Sequence, residues 1–419
     1  MSLLRPLSAA EAAGLERRAV DARILSEAAL IVEEVRTGGE EALLAHCRRL
    51  GDLEPGQGLT LAREDLRSAF DGLDDETRDL LIRVNRRIET FARAQRDGLA
   101  PLEVVVEGGR AGHRWIPVES VGAYAPGGRH PLPSTVLMTT TPARVAGVGT
   151  VWVASPRPSQ LTLAAAWVSG ADGLLAAGGA QAVAALAFGV ISPPCDMVVG
   201  PGNVWVTAAK RHLYGEVGID GLAGPSEILV IADGHADPAL VAADLLAQAE
   251  HDVDALPALI TTDAPLADRV QAELAVQLSD LPTAEVARAA LGNGFCVVVE
   301  HLAAAADLAD DFAPEHLAIH VADPDQLATR MRRYGSIFIG GSAAEAFADY
   351  GAGPNHVLPT GGTARFASGL SVLTYMRAAT WLQLDRPGDL VADTARLARL
   401  EGLEAHARAA LRRTGNGRD

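Results

Sequence analysis

The chain has 419 residues, 48% of them hydrophobic and 42 of them glycine, a composition that predicts a globular α/β protein with two or three cores and excludes a largely disordered chain. A formal net charge of -17 disfavours nucleic acid or an anionic membrane as the main partner, because either would repel such a surface, and it favours a small ligand. Few, widely spaced cysteines, no apolar signal sequence and no run of about 18 apolar residues predict free thiols, no membrane span and a cytoplasmic protein.

The predicted elements change character along the chain. Residues 1 to about 100 have apolar residues at helical spacing, interrupted at Gly38-Gly39, and are interpreted as helical scaffold. From about 117, short β-branched runs that end in glycine alternate with Ala-rich stretches, which is typical of a parallel sheet with crossover helices. The same alternation of predicted strands and helices begins again at 227, so we expect two α/β units in tandem. The last part, from about 371, is predicted to be helical.

Three Gly-rich loops follow predicted strands: "YAPGGRHPLPS", "AAGGAQ" and "GPGN". Ligands of open parallel sheets bind at the carboxyl ends of the strands, so these loops are expected to share one crevice. The sequence has no G-x-G-x-x-G, and a standard dinucleotide fingerprint is therefore absent. Two interpretations stay open, a cofactor crevice and a set of tight turns.

A set of metal-ligating side chains is spread over the second half of the chain. Gln248 and His251 lie three residues apart on a predicted helix and share one face. Asp349 lies with His356 in a segment so rich in Gly and Pro that a loop is predicted, and His406 lies on a predicted C-terminal helix. Amide, carboxylate and imidazole donors suit zinc or manganese. Structural histidines and solvated acids are the alternative.

The stretch "DDFAPEHLAIH" places an acid, Glu315, beside an imidazole, His316, immediately after Pro314. On a regular strand the two side chains would point to opposite faces. Because Pro314 makes the entrance of the predicted strand irregular, both can lean toward one crevice. The pair is either an acid-base pair or a chance feature of a strand's edge.

These motifs together resemble the histidinol dehydrogenase family over nearly the whole chain. The matching stretches occur in the family's order: "VGAYAPGGRHPLPSTVLM", "AAGGAQAVAALAFG", "GPGNVWVTAAK", "GLAGPSEILVIAD", "DLLAQAEHD", "FAPEHLAI", "DYGAGPNHVLPTGGTARF" and "EGLEAHARAA".

The resemblance implies an intertwined homodimer whose chains each have two incomplete Rossmann-like parallel-sheet domains and small helical terminal segments. It implies an N-terminal segment 1–23, a first domain of 24–120 plus 227–370 with the metal and catalytic residues, a second domain 121–226 with the cofactor loops, and a C-terminal segment 371–419 that reaches the partner subunit.

The resemblance also implies roles for individual residues. Zinc would be held by Gln248, His251, Asp349 and His406, which also border the substrate. Glu315 and His316 would be catalytic, with Ser134, Ser226, His356 and Glu401 around the substrate. NAD would contact Tyr124, Gln181 and Asn203. Glu401 and His406 would complete the site of the partner subunit, so a monomer would be inactive.

The implied reaction is the oxidation of an amino alcohol, L-histidinol, to L-histidine in two NAD-dependent steps through a bound aldehyde, at the end of histidine biosynthesis. The first step needs a base of near-neutral pKa, for which His316 is suited. The second needs a base that deprotonates water, assigned to Glu315, whose pKa is expected to be raised in a dry loop.

One segment departs from the family pattern, residues 371 to 381, where "SVLTYMRAATW" replaces an acidic-aromatic pair and a basic doublet. A family paralogue that oxidises another primary alcohol, such as a sulfopropanediol, is therefore an alternative. Two further alternatives are a zinc hydrolase without cofactor, which the three Gly-rich loops disfavour, and a catalytically silent scaffold, which the complete set of ligands and bases disfavours.

Overall fold

The computed structural model describes residues 2–17, 20–53, 58–127 and 131–413. The strands are β1 Arg5–Pro6, β2 Thr60–Ala62, β3 Leu102–Val106, β4 Gly109–Pro117, β5 Ser120–Tyr124, β6 Thr150–Ala154, β7 Gly173–Leu175, β8 Met197–Val199, β9 Gly218–Ile219, β10 Glu227–Ala232, β11 Leu256–Thr261, β12 Phe295–Val298, β13 His316–His320, β14 Ser336–Ile339 and β15 Met376–Leu384. The helices are α1 Ala9–Ala13, α2 Ala22–Leu50, α3 Arg63–Asp71, α4 Asp75–Asp97, α5 Pro133–Ala146, α6 Gln160–Ser169, α7 Gly179–Phe188, α8 Val204–Leu213, α9 Pro238–Ala249, α10 Ala264–Ser279, α11 Ala284–Asn293, α12 Leu302–Phe312, α13 Pro324–Ala328, α14 Glu345–Asp349, α15 Leu390–Leu400 and α16 Glu404–Leu411.

One sheet is built from the second half of the chain, with the strand order β1-β12-β11-β10-β13-β14 and parallel pairing throughout. All six residues of β10 are buried because helices cover both faces of the sheet. Its side chains alternate between two cores, with Ile228 and Val230 in one and Leu229 and Ile231 in the other. This sheet is the α/β unit predicted from 227 onward.

A second sheet has the order β2-β7-β6-β5-β8-β9 and is parallel except at β2, which pairs antiparallel with β7. Its first parallel strand, β5, lies between β6 and β8, so the crossovers run in opposite directions on its two sides. Such a switch point opens a crevice at the carboxyl ends of the strands. The described parts of the three Gly-rich loops, which leave out residues 128–130, follow β5, β7 and β8 and reach this edge, as predicted.

The helices of residues 24–120 pack on the second α/β unit, whereas the implied domain division groups them with the first. The division groups 24–120 with 227–370, whereas α2 packs on α7 and α8, α3 on α6, and α4 on α5, all in the second unit. Val32, Val35 and Leu43 of α2 are buried in one core with the alanines of α7. Apolar periodicity shows that such a helix has a face to bury, and long-range packing decides which unit receives it. The predicted break in α2 is present at Gly39, whose backbone is not helical.

A third sheet, β15-β4-β3, is antiparallel and was not predicted. The prediction that the chain is helical from about 371 is wrong for β15, which pairs with β4 along nine residues. Its largely exposed side chains give only a weak apolar alternation, so the pattern did not predict a strand. The described residues after β15 include the helices α15 and α16, which pack mainly on each other. None of the described helices is long and apolar enough to cross a membrane.

We expect Gly200→Ala to destabilise the second unit. Gly200 follows β8 with φ +107°, and an added Cβ would lie 2.1 Å from the carbonyl oxygen of Tyr124. The backbone strain and the clash together should lower the free energy of unfolding by at least about 2 kcal/mol, as measured by urea denaturation. Gly221→Ala is the control, because nothing lies within 4 Å of its added Cβ. Equal unfolding midpoints for the two variants would contradict the expectation.

Candidate active site

A cavity of about 450 Å³ lies between the two parallel-sheet units. It is lined by nine of the residues that the sequence analysis names, namely Ser134, Asn203, Ser226, Gln248, His251, Glu315, His316, Asp349 and His356. The structure therefore brings together side chains from segments that are more than 200 residues apart in the sequence. Their convergence is a property of the fold, since they come from the ends of several different elements.

The two walls of this cavity differ in helix polarity. Glu315 and His316 lie at the amino ends of the first sheet's strands, where α9 and α12 end. The C-terminus of a helix carries partial negative charge, so this wall favours a cation. The facing wall is the carboxyl edge of the second sheet, where α5, α7 and α8 begin, and helix N-termini favour an anion.

The acid-base pair is held by the backbone of one residue, Glu227, at the start of β10. The Glu227 N–H donates to Glu315 Oε2 at 2.8 Å, and the Glu227 carbonyl oxygen lies 3.0 Å from His316 Nδ1. A carbonyl oxygen can only accept, so the proton of a neutral His316 is on Nδ1. His316 Nε2 is buried and has no hydrogen-bond partner among the described residues. The geometry leaves His316 a free lone pair at the cavity.

Burial shifts the ionisation of both residues. It raises the pKa of the Glu315 carboxyl well above its usual value, against the opposing hydrogen bond from Glu227. It lowers the pKa of His316 to about 4, whereas the sequence predicts a base near neutrality. The physical reason is that burial disfavours the charged imidazolium relative to the neutral ring. At pH 7 His316 is therefore a neutral base and Glu315 is a carboxyl group that exchanges a proton more readily than a surface glutamate.

Three residues form a group that can hold a metal ion: the ligand atoms of His251, Glu345 and Asp349 lie within 4.8 Å of one another. Asp349 Oδ1 and Glu345 Oε2 are buried without a hydrogen-bond partner among the described residues. Burial favours a higher pKa for Asp349, but the hydrogen bond from His251 and the nearby imidazoles outweigh it, and the net pKa is lowered. An anionic Asp349 beside histidine nitrogens is a donor set that fits zinc.

The amide of Gln248 completes this group. It is fully buried and faces a Glu345 carboxylate oxygen at 3.2 Å and the Glu227 carbonyl oxygen at 3.1 Å. Both are acceptors, so the amide nitrogen belongs on that side and the amide oxygen turns away from Glu345. His316 Nδ1 also lies 3.1 Å from this nitrogen, and its proton is directed to the Glu227 carbonyl oxygen. In this orientation the amide oxygen, which is the atom that can coordinate a metal ion, does not face the Glu345 carboxylate.

Glu345 was missed by the sequence analysis. Asp349, predicted in a loop, is instead the last residue of the short helix α14, and Glu345 is its first. The spacing of four residues puts both carboxylates on one helix face. That spacing was the available signal, and the glycines and prolines that follow concealed the helix. His251, predicted on a helix with Gln248, lies in the turn just beyond the end of α9.

His356 also lies in the cavity wall, with both ring nitrogens engaged. Its Nδ1 lies 3.0 Å from the carbonyl oxygen of Asp349, and its Nε2 lies 3.1 Å from the hydroxyl of Thr135. Because a carbonyl only accepts, Nδ1 carries the proton and Nε2 accepts from Thr135. Burial lowers the pKa of His356, so the ring is neutral at pH 7. A ligand that binds Nε2 must replace Thr135.

The three residues predicted to contact a cofactor line a second cavity of about 1080 Å³. Asn203 borders both cavities, which are therefore adjacent. Tyr124 accepts a hydrogen bond from Gly179 N–H through its hydroxyl oxygen, and Gln181 donates to the buried Asp52. Asp52 also accepts from Gly178 N–H at 3.0 Å, so it holds the whole loop before α7. Asp52 was not identified from the sequence, because it lies far from the Gly-rich motifs.

Two predicted site residues lie outside the cavity of their own chain. Glu401 follows α15, His406 lies on α16, and both are exposed. Neither is among the residues that line the two cavities described above. Leu397 and Leu400 on the same segment are 59% and 77% exposed, which leaves an apolar face uncovered in one chain.

Comparison with known proteins assigns the chain to a family. The family model for histidinol dehydrogenase matches residues 15–414. A histidinol dehydrogenase of Thermus thermophilus is 49% identical over 383 residues, which cover 90% of this chain and 92% of the relative. A histidinol dehydrogenase of Parasynechococcus marenigrum is 45% identical over 396 residues, covering 92% and 90% respectively.

A solved structure agrees with these relatives. The crystal structure of histidinol dehydrogenase from Elizabethkingia anophelis superposes with a TM-score of 0.92 at 30% sequence identity, covering 99% of this chain and 98% of that one. The resemblance inferred from the motifs and the predicted α/β fold are both confirmed. The chain belongs to the histidinol dehydrogenase family and is an oxidoreductase of the alcohol and aldehyde dehydrogenase type.

Proposed function

We propose that this protein oxidises L-histidinol to L-histidine with NAD in two steps through a bound aldehyde, the last reaction of histidine biosynthesis. The observation that carries the proposal is the buried pair Glu315 and His316 at the cavity between a cation-favouring wall and an anion-favouring wall. The names of the related proteins support histidinol as the substrate. A hydrolase would need no second cavity beside the first.

In the first oxidation His316 removes the hydroxyl proton of the substrate. Hydride leaves the carbinol carbon only as that proton is taken, so a neutral base must face the hydroxyl. The Nδ1–H of His316 is held by the Glu227 carbonyl oxygen, which fixes the ring and directs the proton to Nε2. NAD, when bound, accepts the hydride. His316 then carries the proton until it is released to water.

In the second oxidation Glu315 removes a proton from water. The aldehyde must be hydrated before a second hydride can leave, and hydration needs a base beside the carbonyl carbon. The raised pKa of the buried Glu315 brings this carboxyl nearer to neutrality, where proton transfer is most efficient. His316 again takes a hydroxyl proton, now from the hydrated aldehyde. Two neighbouring bases thus serve two successive oxidations.

Zinc would be held by Gln248, His251 and Asp349 of one chain together with His406 of a second copy. The ion, when bound, would position the imidazole and amine nitrogens of the substrate, which are good zinc ligands. Glu345 would hold the Gln248 amide nitrogen, so that the amide oxygen is presented to the ion. Ser134, Ser226, His356 and Glu401 of the second copy would surround the substrate.

The dinucleotide would occupy the larger cavity beside Tyr124, Gln181 and Asn203. Its negatively charged phosphates are suited to the N-terminus of α8, whose first turn contains no carboxylate, whereas the N-terminus of α7 already faces Asp52. This placement needs no G-x-G-x-x-G. Since Asn203 borders both cavities, the nicotinamide can reach the substrate where the cavities meet.

The exposed positions of Glu401 and His406 support a homodimer with shared active sites. In one chain the metal group has no ligand from α16, and the apolar face of α15 around Leu397 and Leu400 is uncovered. A second copy that covers this face would receive His406 at its metal group. Each site would then be built from both chains.

Purified protein supplied with zinc, NAD and L-histidinol is expected to form two equivalents of NADH for each histidine, because each oxidation releases one hydride. NADH absorbance and amino-acid analysis measure the ratio, and dialysis against a chelator should abolish turnover until zinc is restored. Turnover of another primary alcohol, with none of histidinol, would contradict the proposed substrate.

Substitution of the two bases should separate the half-reactions. His316→Asn is expected to lower the rate of histidinol oxidation by roughly 100- to 10,000-fold, the usual contribution of a general base. Glu315→Gln should slow oxidation of the aldehyde more than oxidation of the alcohol, as measured by starting the reaction from each compound. His113→Asn, on β4 and outside both cavities, is the control. An unimpaired aldehyde reaction in Glu315→Gln would disprove the role of Glu315.

The shared site is tested by subunit mixing. His251→Ala and His406→Ala should each be inactive, because each removes one metal ligand from every site. In co-expressed mixtures about half of the dimers carry one chain of each kind, and one of their two sites is intact, so about a quarter of wild-type activity should return. Activity of tagged heterodimers measures this. Absence of any recovery would place all ligands of a site in one chain.

A further inference from the structure

The ion pair between Arg17 and Glu227 lies behind the acid-base pair, on the side away from the cavity that the substrate would enter. Arg17 Nη1 donates to Glu227 Oε2 at 2.7 Å, and the two side chains are 13% and 4% exposed. Neither residue lines the cavity between the two units. From these contacts we propose that Arg17 and Glu227 are positioning residues that hold Glu315 and His316 in register for proton transfer.

Glu227 contacts both bases through its backbone. Its N–H donates to Glu315 and its carbonyl oxygen accepts from His316, so any shift of this residue's backbone moves both partners. The Glu227 side chain is fastened at the other end, by Arg17 on Oε2 and by Gly361 N–H on Oε1 at 3.1 Å. A buried carboxylate held on both oxygens restrains the start of β10.

Arg17 fastens the second segment that carries the pair. Its Nη2 donates to the carbonyl oxygen of Phe312, and its guanidinium lies 3.6 Å from the centre of the Phe312 ring. Phe312 ends α12 and is followed by Ala313 with φ 50° and then by Pro314 and Glu315. One planar guanidinium therefore bridges the entrances of β10 and β13, which a lysine ammonium cannot do with the same geometry.

Arg17 gives the N-terminal segment a positioning role, although the helical spacing of its apolar residues led to its interpretation as scaffold. Without Arg17, Glu227 would be a buried anion that retains one backbone donor, and such a group either takes up a proton or moves toward water. Either change displaces the peptide that holds His316 Nδ1. Proton transfer requires heavy-atom distances of about 3 Å. A displacement of this backbone therefore lowers the rate of the chemical step.

The inference rests on the proposed roles of Glu315 and His316, so turnover of the wild-type holoenzyme is measured first. If the wild type does not oxidise histidinol, the proposed function fails. If it does, Arg17→Met is expected to lower kcat by roughly 10- to 100-fold, with KM for histidinol and zinc content unchanged. The isotope effect with substrate deuterated at the carbinol carbon should rise, because hydride transfer becomes slower relative to product release.

Two further variants separate positioning from general stability. Arg17→Lys keeps the charge but loses the bridge, and its kcat should lie between those of the wild type and Arg17→Met. Glu227→Gln keeps the backbone contacts and removes the carboxylate. The double variant Arg17→Met/Glu227→Gln should be no slower than the slower single variant, because the two changes break the same ion pair. If Arg17→Met does not fold, Arg17→Lys and Glu227→Gln carry the same test.

A matched control uses the ion pair between Arg144 and Asp172 in the second unit, where the guanidinium also donates to backbone carbonyl oxygens. Arg144→Met should lower the melting temperature as Arg17→Met does, without changing kcat. The inference is overturned if Arg17→Met and Arg17→Lys retain the wild-type kcat, or if their loss is confined to KM or zinc content.

Discussion

The parallel register of β10 and β13 is the constraint on which the site depends. It pairs Ile228 with His316 and so places the peptide of Glu227 next to both Glu315 and His316. The backbone of a single residue supplies one donor and one acceptor, and here both are used on the two bases. The donor restrains the carboxylate, and the acceptor decides which imidazole nitrogen carries the proton. Backbone groups hold these two side chains more rigidly than other side chains would, because the sheet fixes the position of the backbone.

The opposed edges of the two parallel sheets explain how one cavity can serve groups of opposite charge. The amino edge of the first sheet collects helix C-termini and the acids Glu345 and Asp349, which favour a cation. The carboxyl edge of the second sheet collects helix N-termini and Gly-rich loops, which favour phosphate. Although the chain has a net charge of -17, this edge can offer oriented backbone N–H groups to an anion.

Much of the fold could be predicted from local pattern. Short apolar runs that end in glycine predicted β5, β7 and β8, and Pro314 predicted an irregular entrance to β13, where Ala313 has a left-handed backbone. The pattern failed where the apolar signal was weak, as in the mostly exposed β15, and where a short helix is followed by glycines, as in α14. It also could not indicate that α2 packs on α7 and α8, because periodicity describes a face and not its partner.

By itself, the sequence determined which chemistry the chain can support: an acid beside an imidazole, amide, carboxylate and imidazole ligands for a metal, and loops able to approach a phosphate. These depend on residue type and on local backbone preference. Tertiary structure alone decided which nitrogen of His316 is free, which way the Gln248 amide turns, and that Arg17 lies behind Glu227. Each of these depends on a contact between segments distant in sequence, and only packing determines which buried donor meets which buried acceptor.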